Sequence, residues 1–236
     1  MPRCVVYTGW DGCGTTAAFS FFNSVGIPLG WRGSQWVTSP YESVSKSMKL
    51  GKDLDEIWET DVKPYLINTD FGGFSGWPYS LFYKQWDRDY DTVFVHAKRN
   101  VESWAYTEIG SHYSRSVPLD AYQEHVDYIY GVRLTKTSSL DVWQKWIDRY
   151  KKHNIEVEDY FSTRSDKYLY INLDDTSNED VGMGICSLMG IEYNGQLFPI
   201  ELNINPAEWN SKHIQKLVAE DEYHELWNSR KSYLFL

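Results

Sequence analysis

Cysteine is scarce in this sequence: Cys4, Cys13 and Cys186 are the only three in 236 residues, odd in number and far apart. There is no CxxC pair and no Cys/His cluster at zinc spacing, which argues against a disulfide framework and a structural metal and predicts reduced thiols. Long apolar runs are missing as well. No stretch of 18 apolar residues occurs, and no charged segment followed by an apolar run opens the chain. Neither a membrane span nor a secretory signal is therefore read, and the expectation is a soluble, cytoplasmic protein. Positive charge is in deficit: 23 Lys and Arg stand against 33 Asp and Glu, a net charge of −10. That excludes the basic stripe a general nucleic-acid surface requires. It leaves room for an anionic nucleotide, because a local set of backbone N–H groups and one or two Arg can overcome the global field. With no repeat, no low-complexity segment and no convincing linker, residues 1–236 read as one domain with a mainly helical elaboration around 110–165.

Large amphipathic side chains are abundant. The chain holds 11 Trp and 18 Tyr, and aromatics make up 17% of it, which serves a core and cleft first and a stacking pocket second. Cys4–Tyr7 is a short run of strand formers, followed by a Gly-rich stretch and then by Thr15–Val25, where Ala18, Phe21, Phe22 and Val25 share a helical face. Leu29–Met48 has no clean period and reads as loop, with a helix near Tyr41–Leu50. Asp53–Val62 is helical in pattern, and Tyr65–Asn68 is a candidate second strand. Asp70–Pro78 reads as a Gly-rich loop and Ser80–Trp86 as a short helix. Thr92–His96 is apolar at nearly every position, as a strand buried on both faces should be. Helices follow at Val101–Ile109 and Leu140–Phe161, then a strand at Tyr168–Leu173, a helix at Ser177–Met189 closed by Gly190, and a polar helix over Pro206–Trp227. Strands alternating with helices predict an α/β fold with a parallel sheet flanked by helices.

Two segments carry chemistry. Gly9-x-x-x-x-Gly14-Thr15-Thr16 lies between a strand and a helix, the context in which a phosphate-binding loop works. Glycines let the backbone approach an anion, successive N–H groups point at it, and the helix N-terminus favours negative charge. The other reading is a tight turn that caps a helix. Thr15 occupies the position of the Lys that reaches the β- and γ-phosphates in nucleoside triphosphatases, which argues against ATP or GTP hydrolysis. The second segment is Arg99, at the C-terminal end of the Thr92–Ala97 run, with Thr107 eight positions later. Ligands bind at that end of open parallel sheets, and a guanidinium there can grip a phosphate through two parallel bonds. The alternative is a surface ion pair and an ordinary helical threonine.

Together the two segments resemble the nucleotide-binding segments of the sulfotransferase superfamily, which uses 3′-phosphoadenosine 5′-phosphosulfate (PAPS). Cys13-Gly14-Thr15-Thr16 is similar to that family's 5′-phosphosulfate loop, and Arg99-Asn100 with Thr107 to its 3′-phosphate segment. Asp70-Phe71 with Trp77-Pro78, Lys151-Lys152-His153-Asn154 with Tyr160-Phe161, Leu188-Met189-Gly190-Ile191, and Phe198-Pro199 with Asn205 resemble further segments of a bacterial-type branch, in the family's order. The resemblance implies a P-loop-type three-layer α/β architecture. It implies that Gly12, Cys13, Gly14, Thr15 and Thr16 hold the 5′-phosphosulfate, with Thr15 beside the reacting group, and that Arg99 and Thr107 hold the 3′-phosphate. The implied reaction is in-line attack of an acceptor hydroxyl or amine on sulfur, driven by positioning and charge stabilisation, with 3′,5′-ADP as product and no metal.

The departures set the open questions. The family's loop cation corresponds here to Gly12, next to Asp11, so another base (Arg32, Lys46 or Lys49) supplies the charge or transfer is weak or lost. Val101 replaces the Pro that follows Arg-Asn in the family. Aligned on the family's base segment, the chain reads Asn68-Thr69-Asp70, which makes Asp70 the candidate general base or, equally, the cap of a turn. Trp31, Trp36, Trp77 and Tyr79 are candidates for the walls of an acceptor pocket, or for lid packing. The expected partner is a small-molecule or glycan acceptor, with no nucleic acid and no membrane. A kinase on the same fold and an inactive PAPS- or PAP-binding relative are the rival readings.

Overall fold

The computed structural model describes residues 4–31, 40–67, 69, 71–114, 129–132, 134–135, 138–199 and 213–235. It is α/β, with a five-stranded parallel sheet flanked by helices, in the order β2-β3-β1-β4-β5. The strands are β1 (Cys4–Tyr7), β2 (Leu29–Trp31), β3 (Gly73–Ser75), β4 (Thr92–Lys98) and β5 (Tyr168–Asn172). β1 is flanked by β3 and β4, with Val6 beside Phe74 on one side and beside Phe94 on the other. Val5, Val6 and Tyr7, and Val93 to Val95, have no solvent exposure, which is why their sequence is apolar at every position rather than at alternate ones. The outer strand β5 is wetter, and Tyr170 is exposed.

The helices follow from local signals. α1 (Thr15–Ser24) turns Ala17, Ala18, Phe21 and Phe22 inward, and α2 (Tyr41–Lys49) buries Tyr41, Val44 and Met48. α3 (Leu54–Ile57) is capped by Asp53, whose carboxylate accepts the Glu56 N–H at 2.8 Å. It runs through a π-turn (Trp58–Val62) into α4 (Lys63–Leu66). A 3₁₀ turn (Tyr79–Phe82) leads into α5 (Tyr83–Asp89), and α6 spans Val101–Ser114. α7 (Leu140–Phe161) is the long amphipathic helix, and α8 (Asn178–Met189) runs from a Ser177 cap to Gly190. α9 spans His213–Leu234.

Three expectations change. Tyr65 and Leu66 lie at the end of α4, not in a strand, and the second and third strands along the chain are Leu29–Trp31 and Gly73–Ser75 instead. Both of those strands had read as loop. The C-terminal helix continues to Leu234, past the expected Trp227.

The chain forms two compact units. The first, residues 1–99 and 154–203, contains the whole sheet. Its core packs Phe74 against Trp86 (ring centroids 5.0 Å apart), Trp86 edge-on to Trp58 (5.1 Å) and Phe94 against Phe161 (4.5 Å). The second, residues 100–153 and 204–236, is helical in its described parts, and its core stacks Trp104 on Tyr150 (4.1 Å) and Tyr130 on Trp146 (3.8 Å). These aromatics fill cores, as large amphipathic side chains do by default. No described helix is long and apolar enough to cross a membrane.

Candidate functional site

The connection from β1 goes to β2 on one side of the sheet, and the connection from β4 goes to β5 on the other. β1 and β4 are neighbours, so a topological switch point lies between their C-terminal ends, where open parallel sheets bind ligands.

β1 ends in Tyr7, and Thr8 follows it. The Thr8 N–H still donates to the Val95 carbonyl at 2.9 Å, and its buried hydroxyl lies 3.1 Å from Nδ1 of buried His96 on β4. His96 is thus a core histidine tying the two central strands together. At Gly9 the chain passes so close to β4 that a Cβ would sit 2.9 Å from the Ala97 carbonyl oxygen, which only glycine tolerates. Trp10 to Cys13 form a turn closed by the Cys13 N–H on the Trp10 carbonyl at 2.9 Å. Gly12 has φ 82 and Gly14 has φ 79, left-handed values that L side chains disfavour. Two left-handed residues one apart, running into the right-handed start of α1, are the ingredients of a backbone nest.

Tyr7 orients that nest. Its hydroxyl donates to the Cys13 carbonyl at 2.7 Å. In a trans peptide the C=O and the next N–H point in opposite directions, so the Gly14 N–H faces away from the Tyr7 ring. Burial pushes the Tyr7 hydroxyl well above its usual range, with the Cys13 thiol adding to the shift and the nearby positive charge of Arg99 opposing it. The phenol therefore stays a donor. α1 starts at Thr15 without a side-chain cap, so its first amides, from half-buried Thr15 and Thr16 onward, keep the uncompensated positive end of the helix.

β4 delivers Arg99 to the same edge. Arg99 is only 6% exposed, and the Asp174 carboxylate lies near it, with Nη1 to Oδ1 at 3.9 Å. β3 supplies a third wall: a Cβ on Gly76 would lie 3.5 Å from Thr15 Cγ2 and 3.7 Å from Asp11 Oδ1. The Asp11 carboxylate therefore sits between the loop and the end of β3.

Arg99 and the Gly12–Thr16 loop are thus brought to one edge of the sheet. Thr107 belongs to the second unit, where its hydroxyl donates to the Ser103 carbonyl one helical turn back at 3.0 Å. Trp77 and Tyr79 follow β3 and are each 2% exposed. Trp77 packs edge-on to Tyr41, and Tyr79 packs on Phe74. Trp31 closes β2. Asp70, Trp36 and Arg32 lie outside the described residues. The residue that follows β3 at the loop end of the sheet is Gly76, and the last residue of β3, Ser75, is fully buried with a hydroxyl that has no partner among the described residues. Lys46 and Lys49 are exposed on α2. Among the described residues no group of three His, Cys, Asp or Glu side chains gathers as a metal site.

Two residues of this edge escape a reading by motif. Tyr7 is a strand residue whose hydroxyl acts on the loop, and the signal for it is a phenol at the end of a strand that enters a Gly-rich turn. Asp174 lies just beyond β5, the same edge on which Arg99 was picked out. No family model matches the sequence, and no curated protein does.

Proposed function

We propose that the chain is a sulfotransferase-type enzyme that binds PAPS at the crevice between β1 and β4. The observation that carries the reading is the Gly12–Gly14 nest, held by Tyr7 beside the uncapped start of α1, with buried Arg99 on the same edge. In this reading the amides of Gly12 to Thr16 hold the 5′-phosphosulfate and Arg99 holds the 3′-phosphate. Thr15 in place of the triphosphatase Lys favours this nucleotide over ATP. The architecture is then that of a P-loop-type three-layer fold, and the remaining part of the site receives a small-molecule or glycan acceptor. When bound, PAPS supplies the activated sulfuryl group.

The residues fit binding better than transfer. Gly12 stands where the superfamily has its loop cation, and the Asp11 carboxylate lies close to Thr15 instead. This favours a second reading, a protein that binds the nucleotide without transferring sulfate. Calorimetric titration separates the cases. Micromolar binding of 3′,5′-ADP, with ATP and Mg²⁺ silent, supports a PAPS site, and turnover of PAPS in an acceptor screen then divides enzyme from binder. Binding of ATP alone sinks the reading in favour of a kinase. If Arg99 grips the 3′-phosphate, Arg99→Ala weakens 3′,5′-ADP by about 2–4 kcal/mol, the scale of stripping one partner from a buried charged pair; unchanged affinity removes Arg99 from the site.

A further inference from the structure

We propose that Asp174 is a built-in counter-anion for Arg99 that limits how tightly this edge of the sheet holds an incoming tetrahedral oxyanion. The inference rests on the reading above in taking Arg99 as the anion-binding group.

Arg99 keeps a permanent positive charge at 6% exposure. A charge so far from water needs an opposite charge close by. The 3.9 Å separation between Arg99 Nη1 and Asp174 Oδ1 is within Coulombic contact but too long for a hydrogen bond. The main chain that carries Asp174 is fixed by its own turn. The Leu173 N–H donates to the Lys98 carbonyl at 2.9 Å, anchoring the turn to the end of β4 one residue before Arg99. The Asp174 N–H then donates to Asn172 Oδ1 at 3.3 Å, and the Asp175 and Thr176 N–H groups donate to the Asn172 carbonyl at 3.2 and 2.9 Å. The carboxylate thus stands beside the guanidinium instead of docking on it.

Two consequences follow from charge alone. In the empty site Asp174 offsets the burial of Arg99. Once a phosphate or sulfate group takes up the shorter, charge-assisted contacts that a guanidinium offers, Asp174 becomes a like charge next to the ligand and weakens it. The residue therefore trades anion affinity for a tolerable empty state.

The test uses two probes, inorganic sulfate and 3′,5′-ADP, on the full chain and on Asp174→Asn, Arg99→Gln and the double variant. The expected result is that Asp174→Asn binds sulfate about tenfold more tightly than the parent, the effect of removing one nearby like charge, and that the gain disappears when Arg99 is Gln. Sulfate affinity that is unchanged, weaker or unmeasurable in Asp174→Asn overturns the proposal, as does a gain that persists without Arg99. If Asp174→Asn does not fold, as judged by circular dichroism, Asp174→Ser takes its place with the same expectations. The two readings fail separately. An Arg99-dependent sulfate gain without any binding of 3′,5′-ADP keeps the role of Asp174 and sinks the nucleotide. Binding of 3′,5′-ADP that is indifferent to Asp174 does the reverse.

Discussion

The loop from Gly9 to Thr16 stands out in the sequence by its glycines, yet the direction of its Cys13–Gly14 amide depends on a side chain two residues before the first of them. Tyr7 holds the Cys13 carbonyl at 2.7 Å. Tyr7→Phe keeps the ring in the core and removes only the hydroxyl. The expected result is a loss of about 1 kcal/mol of stability, the net value of one buried hydrogen bond, accompanied by weaker 3′,5′-ADP binding because the Cys13–Gly14 peptide is no longer held in one orientation. Urea denaturation and calorimetry on the same protein check both parts; lost stability with intact affinity would mean that the nest does not touch the ligand. At this scale the glycines and Arg99 were legible in the sequence, because spacing and the position after a strand carry their meaning. Tyr7 and Asp174 were not, since each acts through a contact between residues that a one-dimensional motif does not relate. The candidate base at Asp70 comes from alignment with a family segment and lies outside the described residues, while Leu66, in the run read as a strand before it, ends a helix.

The elements divide in the same way. β1 and β4 were readable because they lie inside the sheet and every side chain is apolar for the same reason. β2 and β3 were not, because their sequences, Leu-Gly-Trp and Gly-Phe-Ser, answer to packing and not to strand propensity. A Cβ on Gly30 would lie 2.7 Å from the Phe74 ring, and one on Gly73 would lie 2.6 Å from the Val5 carbonyl oxygen. Phe74 fills the space beside Gly30, and Val5 and Leu29 fill the space beside Gly73, pairings invisible to any window along the chain. The π-turn between α3 and α4 has its own long-range tie. Buried Trp58 donates its Nε1–H to Asp89 at 2.8 Å, and Lys63 and Arg88 reach the same carboxylate at 3.1 and 2.6 Å. The Arg88 bond, with help from Trp58 and Lys63 and against the desolvation of the group, holds the Asp89 carboxyl well below the usual carboxylate range. A folded-state pKa below the unfolded one stabilises the protein above the unfolded value near pH 4, and that contribution is lost as the pH falls further. Asp89→Ala should therefore cost about 1–3 kcal/mol at neutral pH, the penalty of leaving the Trp58 N–H without its acceptor plus the lost charge. The gap between parent and variant should narrow as the pH is lowered from about 5 to about 2. A gap independent of pH would mean that the carboxylate's charge contributes nothing.

For the whole molecule the net charge of −10 and the proposed anion site pull in opposite directions. The field of the whole chain acts on a ligand during its approach, while Arg99 and the amides of α1 act after arrival, inside a crevice where salt screens less. A 3′,5′-ADP molecule carries several negative charges, so its approach to a protein of like sign is slowed. Stopped-flow association with a fluorescent 3′,5′-ADP derivative should accelerate as salt is raised from about 20 to about 200 mM, because screening weakens the repulsion over distances beyond the Debye length. Dissociation should accelerate too, by a smaller factor, since Arg99 is largely buried. An association rate that falls with salt would show that the mouth of the crevice is locally positive despite the overall charge. Attention would then turn to basic side chains at that mouth, and with them to the cation that the loop itself lacks at Gly12.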